Sequence, residues 1–237
     1  MARMTAWRLI FAVLGLTMVA VPPAGGEWFA DLYAGRASTE SRDISVRGTL
    51  SGVAVDGKLT DVDFDSSLAF GARLGHWFDA LRFVGVAVDV SYFEANISSQ
   101  TVTPRGTLAG PLLGVPAGAS FTGPVRLGHT DINVTAFSVD LMLRWPLLTS
   151  EKFPRGRLQP YLTAGPGLYL TDVQHFDLGA SPGVKAGAGL TWLFTKDIGV
   201  FAEYRATYFE PEVESGRIRL NTTIDTRLIL GGLTARF

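Results

Sequence analysis

The chain of 237 residues contains no cysteine. That absence excludes disulfide staples, a thiol nucleophile and any metal site built on thiolates, so packing and backbone hydrogen bonding must hold the fold. Charge is scarce as well. Asp, Glu, Lys and Arg make up 18% of the chain and the formal net charge is -1, which leaves no basic footprint for nucleic acid. Past the N-terminus no run approaches the roughly 18 apolar residues that a spanning helix requires, and no useful stretch repeats with helical period. Yet 47% of the residues are hydrophobic and the mean hydropathy is +0.22. The apolar content is therefore dispersed.

At the N-terminus Arg3 and Arg8 precede an apolar run from Leu9 to Val21, which ends in Pro22 and Pro23 and then Ala24, Gly25 and Gly26. A basic start, a short greasy stretch and small residues before a cut form the layout of a secretory signal peptide. Residues 1–26 are expected to be that peptide, with Glu27 opening a mature domain over 27–237. A retained membrane anchor is the competing reading, and the short run and the Pro-Pro stop disfavour it.

After Gly26 eight segments alternate with period two, at 28–37, 62–77, 82–95, 132–145, 158–171, 183–194, 198–210 and 223–237. Each is long enough for a tilted membrane strand, which takes about 9–11 residues. The connections run long, short, long, middling and short in turn, and the segment 146–157 is the least regular. Long loops on one side and tight turns on the other, with an even strand number, predict an all-β, eight-stranded antiparallel up-and-down transmembrane β-barrel with both termini on the periplasmic side.

Parity within the strands sorts charge from grease. In IGVFAEYRATYF, residues 198–209, Glu203 and Arg205 share a face with Gly199 and Phe201, and Val200, Ala202 and Tyr204 occupy the other. Arg73 lies with Gly71 and Gly75, Asp89 with Gly85, Asp140 with Arg144, and Lys185 with Gly187 and Gly189. Glycine on a strand marks a place where something approaches closely, and the interior of an eight-stranded barrel is just wide enough to be filled by side chains. The charged face is thus expected inside, with Asp31, Asp89, Asp140 and Glu203 balancing Arg73, Arg144, Lys185 and Arg205 in a network that fills the lumen. Water filling the same space is the alternative. Trp28, Trp77 or Phe78, Trp145, Trp192, Tyr204 and Phe237 are expected on the outer face near strand ends, as interfacial aromatics.

The last strand, TIDTRLILGGLTARF, ends on Phe237 with Ala235, Leu233, Gly231 and Ile229 on its parity. With EYR at 203–205, LQPYLTAGPGLYL at 158–170, VKAGAGLTWLF at 184–194 and VAVDVSYFE at 86–94, the chain resembles the eight-stranded OmpA/OmpX-like outer-membrane β-barrel family over essentially all of 27–237. The resemblance implies a monomer in the bacterial outer membrane, in contact with lipid and lipopolysaccharide. It implies Phe237 as an assembly signal read by the barrel-assembly machinery, and does not imply a direct tether to the cell wall. It implies architecture rather than activity.

A structural or surface-interaction role, without enzymatic activity, cofactor or metal, is the expected function. A porin-like channel for small solutes and a lipid A-modifying enzyme are the alternatives. Acyl chemistry needs a base beside a nucleophile. His76 is expected in the turn after the second strand, His129 beside Thr130 and Asp131, and His175 in a loop with Asp177, none with a serine at a helpful spacing. Asp61, Asp63 and Asp65 share a parity and could hold a cation, but they lack the glycine and distal glutamate of a calcium loop. Loops 38–61 and 96–131 are the expected contact regions for an extracellular partner. The first alternates enough to extend its hairpin, and the second holds the apolar stretch LAGPLLGVPAG. Asn-x-Ser/Thr triplets at Asn96, Asn133 and Asn221 are read as chance.

Overall fold

The computed structural model describes residues 26–50, 53–102, 104–109, 119–122, 125–173, 178–215 and 218–237. The expected signal peptide, apart from Gly26, lies outside the described residues, as do His175 and Asp177. Eight long strands dominate: β1 (Gly26–Thr39), β2 (Ser67–Phe78), β3 (Val84–Glu94), β4 (Ile132–Arg144), β5 (Leu158–Val173), β6 (Gly179–Leu193), β7 (Ile198–Phe209) and β8 (Ile224–Arg236). Each pairs antiparallel with its sequence neighbours, and β1 pairs with both β2 and β8, which closes the cylinder. All eight fall where the alternation predicts. The largest shift is in β2, expected from residue 62 but beginning at Ser67, because Val62 ends a separate strand and the polar stretch before Ser67 breaks the ladder.

Burial alternates along every barrel strand, because successive strand side chains point to opposite faces. In β7 Phe201, Glu203, Arg205, Thr207 and Phe209 are buried, while Ile198, Ala202, Tyr204 and Tyr208 are exposed. The same inversion holds around the ring, so that Val139 is 59% and Ile229 69% exposed while Arg205 is 1% exposed. At the end that carries the short turns, Phe78, Phe83, Trp145, Phe194 and Phe237 are exposed and circle the cylinder. Trp77 departs from the expectation of an outward ring. It is 2% exposed and points inward, since it shares parity with Arg73 and Gly75. Tyr204 does face outward but sits in mid-strand, registered with Ala188 and Ile229, and not at a rim.

Six of the eight strands continue past the barrel at the loop end. Strands Glu212–Ser215, Ile218–Thr222, Arg42–Leu50, Val53–Val62, Pro104–Ala109 and Ala119–Thr122 form one antiparallel sheet in that order. That is also the order of β7, β8, β1, β2, β3 and β4 around the ring, so the sheet raises the barrel wall over those strands. A small ladder, Gln100–Val102 with Val125–Leu127, belongs to the same rise. The first loop therefore forms the extended hairpin its alternation suggests. The second also forms strands where its Gly, Pro and Ser content reads as loop.

At the other end the irregular connection 146–157 folds back on the barrel. Leu147 bridges Leu158, Ser150 and Phe153 exchange backbone hydrogen bonds, and Gly156 adopts a φ of 83° that a side chain would disfavour. Gln159, at the start of β5, donates from Nε2 to the carbonyls of Arg155 and Gly156 at 2.9 and 3.0 Å. Phe153 is buried beneath this turn, with the Arg157 guanidinium 5.4 Å from its ring centre.

Candidate functional site

The charged lumen is built from one or two inward positions on each strand. β2 supplies Arg73, which donates from Nε to Asp31 Oδ2 on β1 and from Nη1 to Glu203 Oε2 on β7, both at 2.9 Å. Tyr161 on β5 donates to the same Glu203 oxygen at 2.7 Å. Arg205, two residues along from Glu203 and therefore on the same face, donates from Nε to Glu203 Oε1 at 2.7 Å and from Nη2 to Asp89 Oδ2 on β3 at 3.2 Å. Tyr33 on β1 donates to Asp89 Oδ1 at 2.9 Å, and Lys185 on β6 lies 3.0 Å from Asp89 and 2.8 Å from Asp140 on β4. Acid and base alternate without a break along the path Asp31, Arg73, Glu203, Arg205, Asp89, Lys185, Asp140.

Arg144 stands apart from that path. It donates to Glu27 Oε2 at 2.6 Å near the turn end, with its guanidinium 4.3 Å over the inward Trp77 ring. Arg155 of the folded turn and Arg236 of β8 each lie 3.7 Å from Glu27 as well. Glu27 and Arg236 are absent from the sequence-based set, although parity marks both: Glu27 falls in step with Asp31, and Arg236 with Thr234. With them, the buried charges among the described barrel-strand residues number five acids, Glu27, Asp31, Asp89, Asp140 and Glu203, and five bases, Arg73, Arg144, Lys185, Arg205 and Arg236. The balance matters because a charge out of water is tolerable only when paired and hydrogen-bonded.

A cavity of about 10 Å³ lies between the two clusters, lined in part by Asp31, Arg73, Trp77 and Arg236, and holds at most a single water. Toward the loop end the network meets an apolar plug in which Phe93, Val134, Tyr169, Phe209 and Ile224 are buried, with Tyr169 and Phe209 stacked at 4.3 Å. Glycines make the room that the long side chains fill. A Cβ on Gly189 would run into the Tyr161 ring, and one on Gly183 would come within 2.7 Å of the Tyr169 ring. Gly189→Leu is therefore expected to displace Tyr161 from Glu203 and to cost about 1–3 kcal/mol as overpacking. A lowered urea midpoint for the compact, unboiled gel band would register this, and an unchanged midpoint would mean that the lumen has slack.

No protein-family model matches the chain, and no curated protein does. Solved structures do. Neisserial surface protein A aligns with a TM-score of 0.50 at 14% identity, over 90% of this chain and 100% of that one. This chain has the fold of the eight-stranded outer-membrane barrels. OprG of Pseudomonas aeruginosa follows at a TM-score of 0.47 and 14% identity, over 90% and 96% of the two chains. The outer membrane protease OmpT of Escherichia coli aligns at 0.38 and 9% identity, over 93% and 99%.

The remaining polar candidates of this barrel lie outside the lumen. His76 belongs to β2 and not to the turn after it, since the strand runs on to Phe78. Its ring packs outward against Trp28 and Phe78 at 4.8 and 5.4 Å. His129 lies exposed, with Nε2 at 3.0 Å from Asp131 and Nδ1 at 3.9 Å from Asp65. Asp63 and Asp65 do not converge on a common point: Ser41 donates to the first and Ser98 to the second, each at 2.5 Å. The side chain of Asp61 lies outside the described residues, as does most of the apolar stretch at 108–118.

Proposed function

We propose that this protein is a non-enzymatic barrel of the bacterial outer membrane with a structural or surface-interaction role, and that its lumen is a rigid ionic core rather than a passage. The observation that carries this reading is the unbroken ion-pair path from Asp31 to Asp140, closed above by the apolar plug and below by the Glu27 cluster and the folded 146–157 turn. The exposed apolar belt is a surface for acyl chains, because in water it would form one contiguous greasy cylinder. Lipid and lipopolysaccharide are its surroundings. Phe237, at the end of the closing strand, is the signal offered to the barrel-assembly machinery. The raised wall, from loops 38–61 and 96–131 with the strands at 212–222, is the part held out to an extracellular partner.

Planar-bilayer recordings test the reading against a porin-like channel. The reconstituted protein is expected to pass no steady ionic current. Large steady conductance of the unaltered protein would replace a structural core by a pore.

A further inference from the structure

Four arginines of the barrel strands, Arg73, Arg144, Arg205 and Arg236, are buried in the lumen, and the other two break the inversion. Arg36 on β1 is exposed and in step with the outward Leu32 and Ala34, and Arg227 on β8 is in step with the outward Ile229 and Leu233. The ladder sets them side by side. Arg36 is registered with Ile229, and Ser38 with Arg227, so the two guanidinium groups rise from diagonal positions on adjacent strands. Diagonal neighbours on one face lie about 7–8 Å apart, within reach of long side chains.

This pair stands where the apolar belt ends. On the turn side and to either flank the surface is greasy: Leu68 of β2 is registered with Arg36, Tyr204 of β7 is registered with Ile229, and all three neighbours are exposed. On the loop side stand Ser38, Glu40, Asp225 and Glu210. These acids already have partners. Arg227 donates from Nη2 to Glu40 at 3.2 Å and to Asp225 at 3.3 Å, and Tyr208 donates to Glu210 at 2.7 Å. Both contacts of Arg227 use one nitrogen, so its Nε and Nη1 have no partner among the described residues. Arg36 has no hydrogen bond or ion pair there at all.

We propose that Arg36 and Arg227 together hold the phosphate of a lipid headgroup in the leaflet at the loop end. The proposal rests on the outer-membrane reading. Arginine on the outer face of a membrane barrel is costly at the midplane and tolerated near the interface, where its long side chain reaches the headgroup layer. Two guanidinium groups side by side repel unless an anion lies between them, and their planar edges match phosphate oxygens two at a time. Glu40 and Asp225 fix Arg227 from the water side. The acyl chains of the same lipid lie over Leu68, Ile229 and Tyr204, so the surface takes a phosphate joined to aliphatic chains in preference to a free anion.

Native mass spectrometry of the folded, delipidated protein in detergent tests it, with phosphatidic acid as probe and diacylglycerol of the same chains as the phosphate-free control. One phosphatidic acid is expected to stay bound under activation that strips the diacylglycerol. Arg36→Gln is expected to cut its retention about tenfold, the loss of one charge-assisted contact, and to leave the urea midpoint of the compact gel band unchanged, because Arg36 holds no other part of the chain. Arg82→Gln, an exposed arginine in the turn after β2, is expected to change nothing. Equal retention of the two lipids, equal effects of the two substitutions, or displacement of the lipid by an equal concentration of inorganic phosphate would overturn the proposal. So would the absence of bound phosphatidic acid on a protein that needs detergent to stay dispersed; the same absence on a protein that stays dispersed without detergent would overturn the membrane reading beneath it.

Discussion

Arg205→Met is expected to lower the stability of the folded barrel by about 3–5 kcal/mol, the range for removing one partner of a buried ion pair. Arg205 is 1% exposed and is the sole contact that joins Glu203 to Asp89 along the ion-pair path, at 2.7 and 3.2 Å; it also donates to Tyr33 at 3.0 Å. Its loss leaves Asp89 to Lys185 and Tyr33, and Glu203 to Arg73 and Tyr161, so one negative charge in the lumen has no counterpart. Methionine keeps most of the volume, which separates the loss of charge from the loss of packing. Urea titration of the compact gel band measures the effect, and Asp89→Asn in the same background should restore part of it through the coupling of contacting residues. A change under about 1 kcal/mol would mean that water already screens these pairs.

The second large effect distinguishes the solvent outside the barrel. Val139 lies in the middle of β4, outward, registered with Val88 of β3. In a bilayer Val139→Arg is expected to cost about 2–4 kcal/mol, the penalty for arginine at the midplane of a membrane barrel. On a water-facing surface the same substitution would fall within about 0.5 kcal/mol of neutral. Folding into lipid vesicles, followed by the gel-band shift across a urea series, gives the number. Glu151→Arg, in the exposed turn after β4, serves as a control that should stay near neutral in either case. Equal behaviour of the two variants would remove the lipid from this account.

Most of the architecture was legible because period-two alternation is local. Eight strands, their order and their inward parity follow from residues two apart, and Arg73, Asp89, Lys185, Glu203 and Arg205 meet because parity alone places them inside. What was not legible depends on register between distant strands. That Arg144 leaves the main path for Glu27 depends on how far each strand is staggered against the next. Glu27 enters the sequence reading only as the first residue of the mature domain and Arg236 does not enter it, although both carry the inward parity. Trp77 and Phe78 stand as alternatives in the alternation alone, although the step of Trp77 from Arg73 and Gly75 marks it as inward. The six-stranded wall was only half visible, because proline and glycine at 104 and 106 read as loop while the ladder with Val53–Val62 holds them in a strand.

The ladder between β1 and β8 runs without interruption from Phe29 with Arg236 to Thr39 with Thr226, and Trp28 and Phe237 exchange backbone hydrogen bonds at 2.9 and 3.0 Å beyond it. The cylinder consequently has no margin from which it can be peeled. A sheet with free sides can lose its outermost member one bond at a time, whereas here a whole seam must part before any strand comes loose, which favours persistence governed by a slow rate of opening.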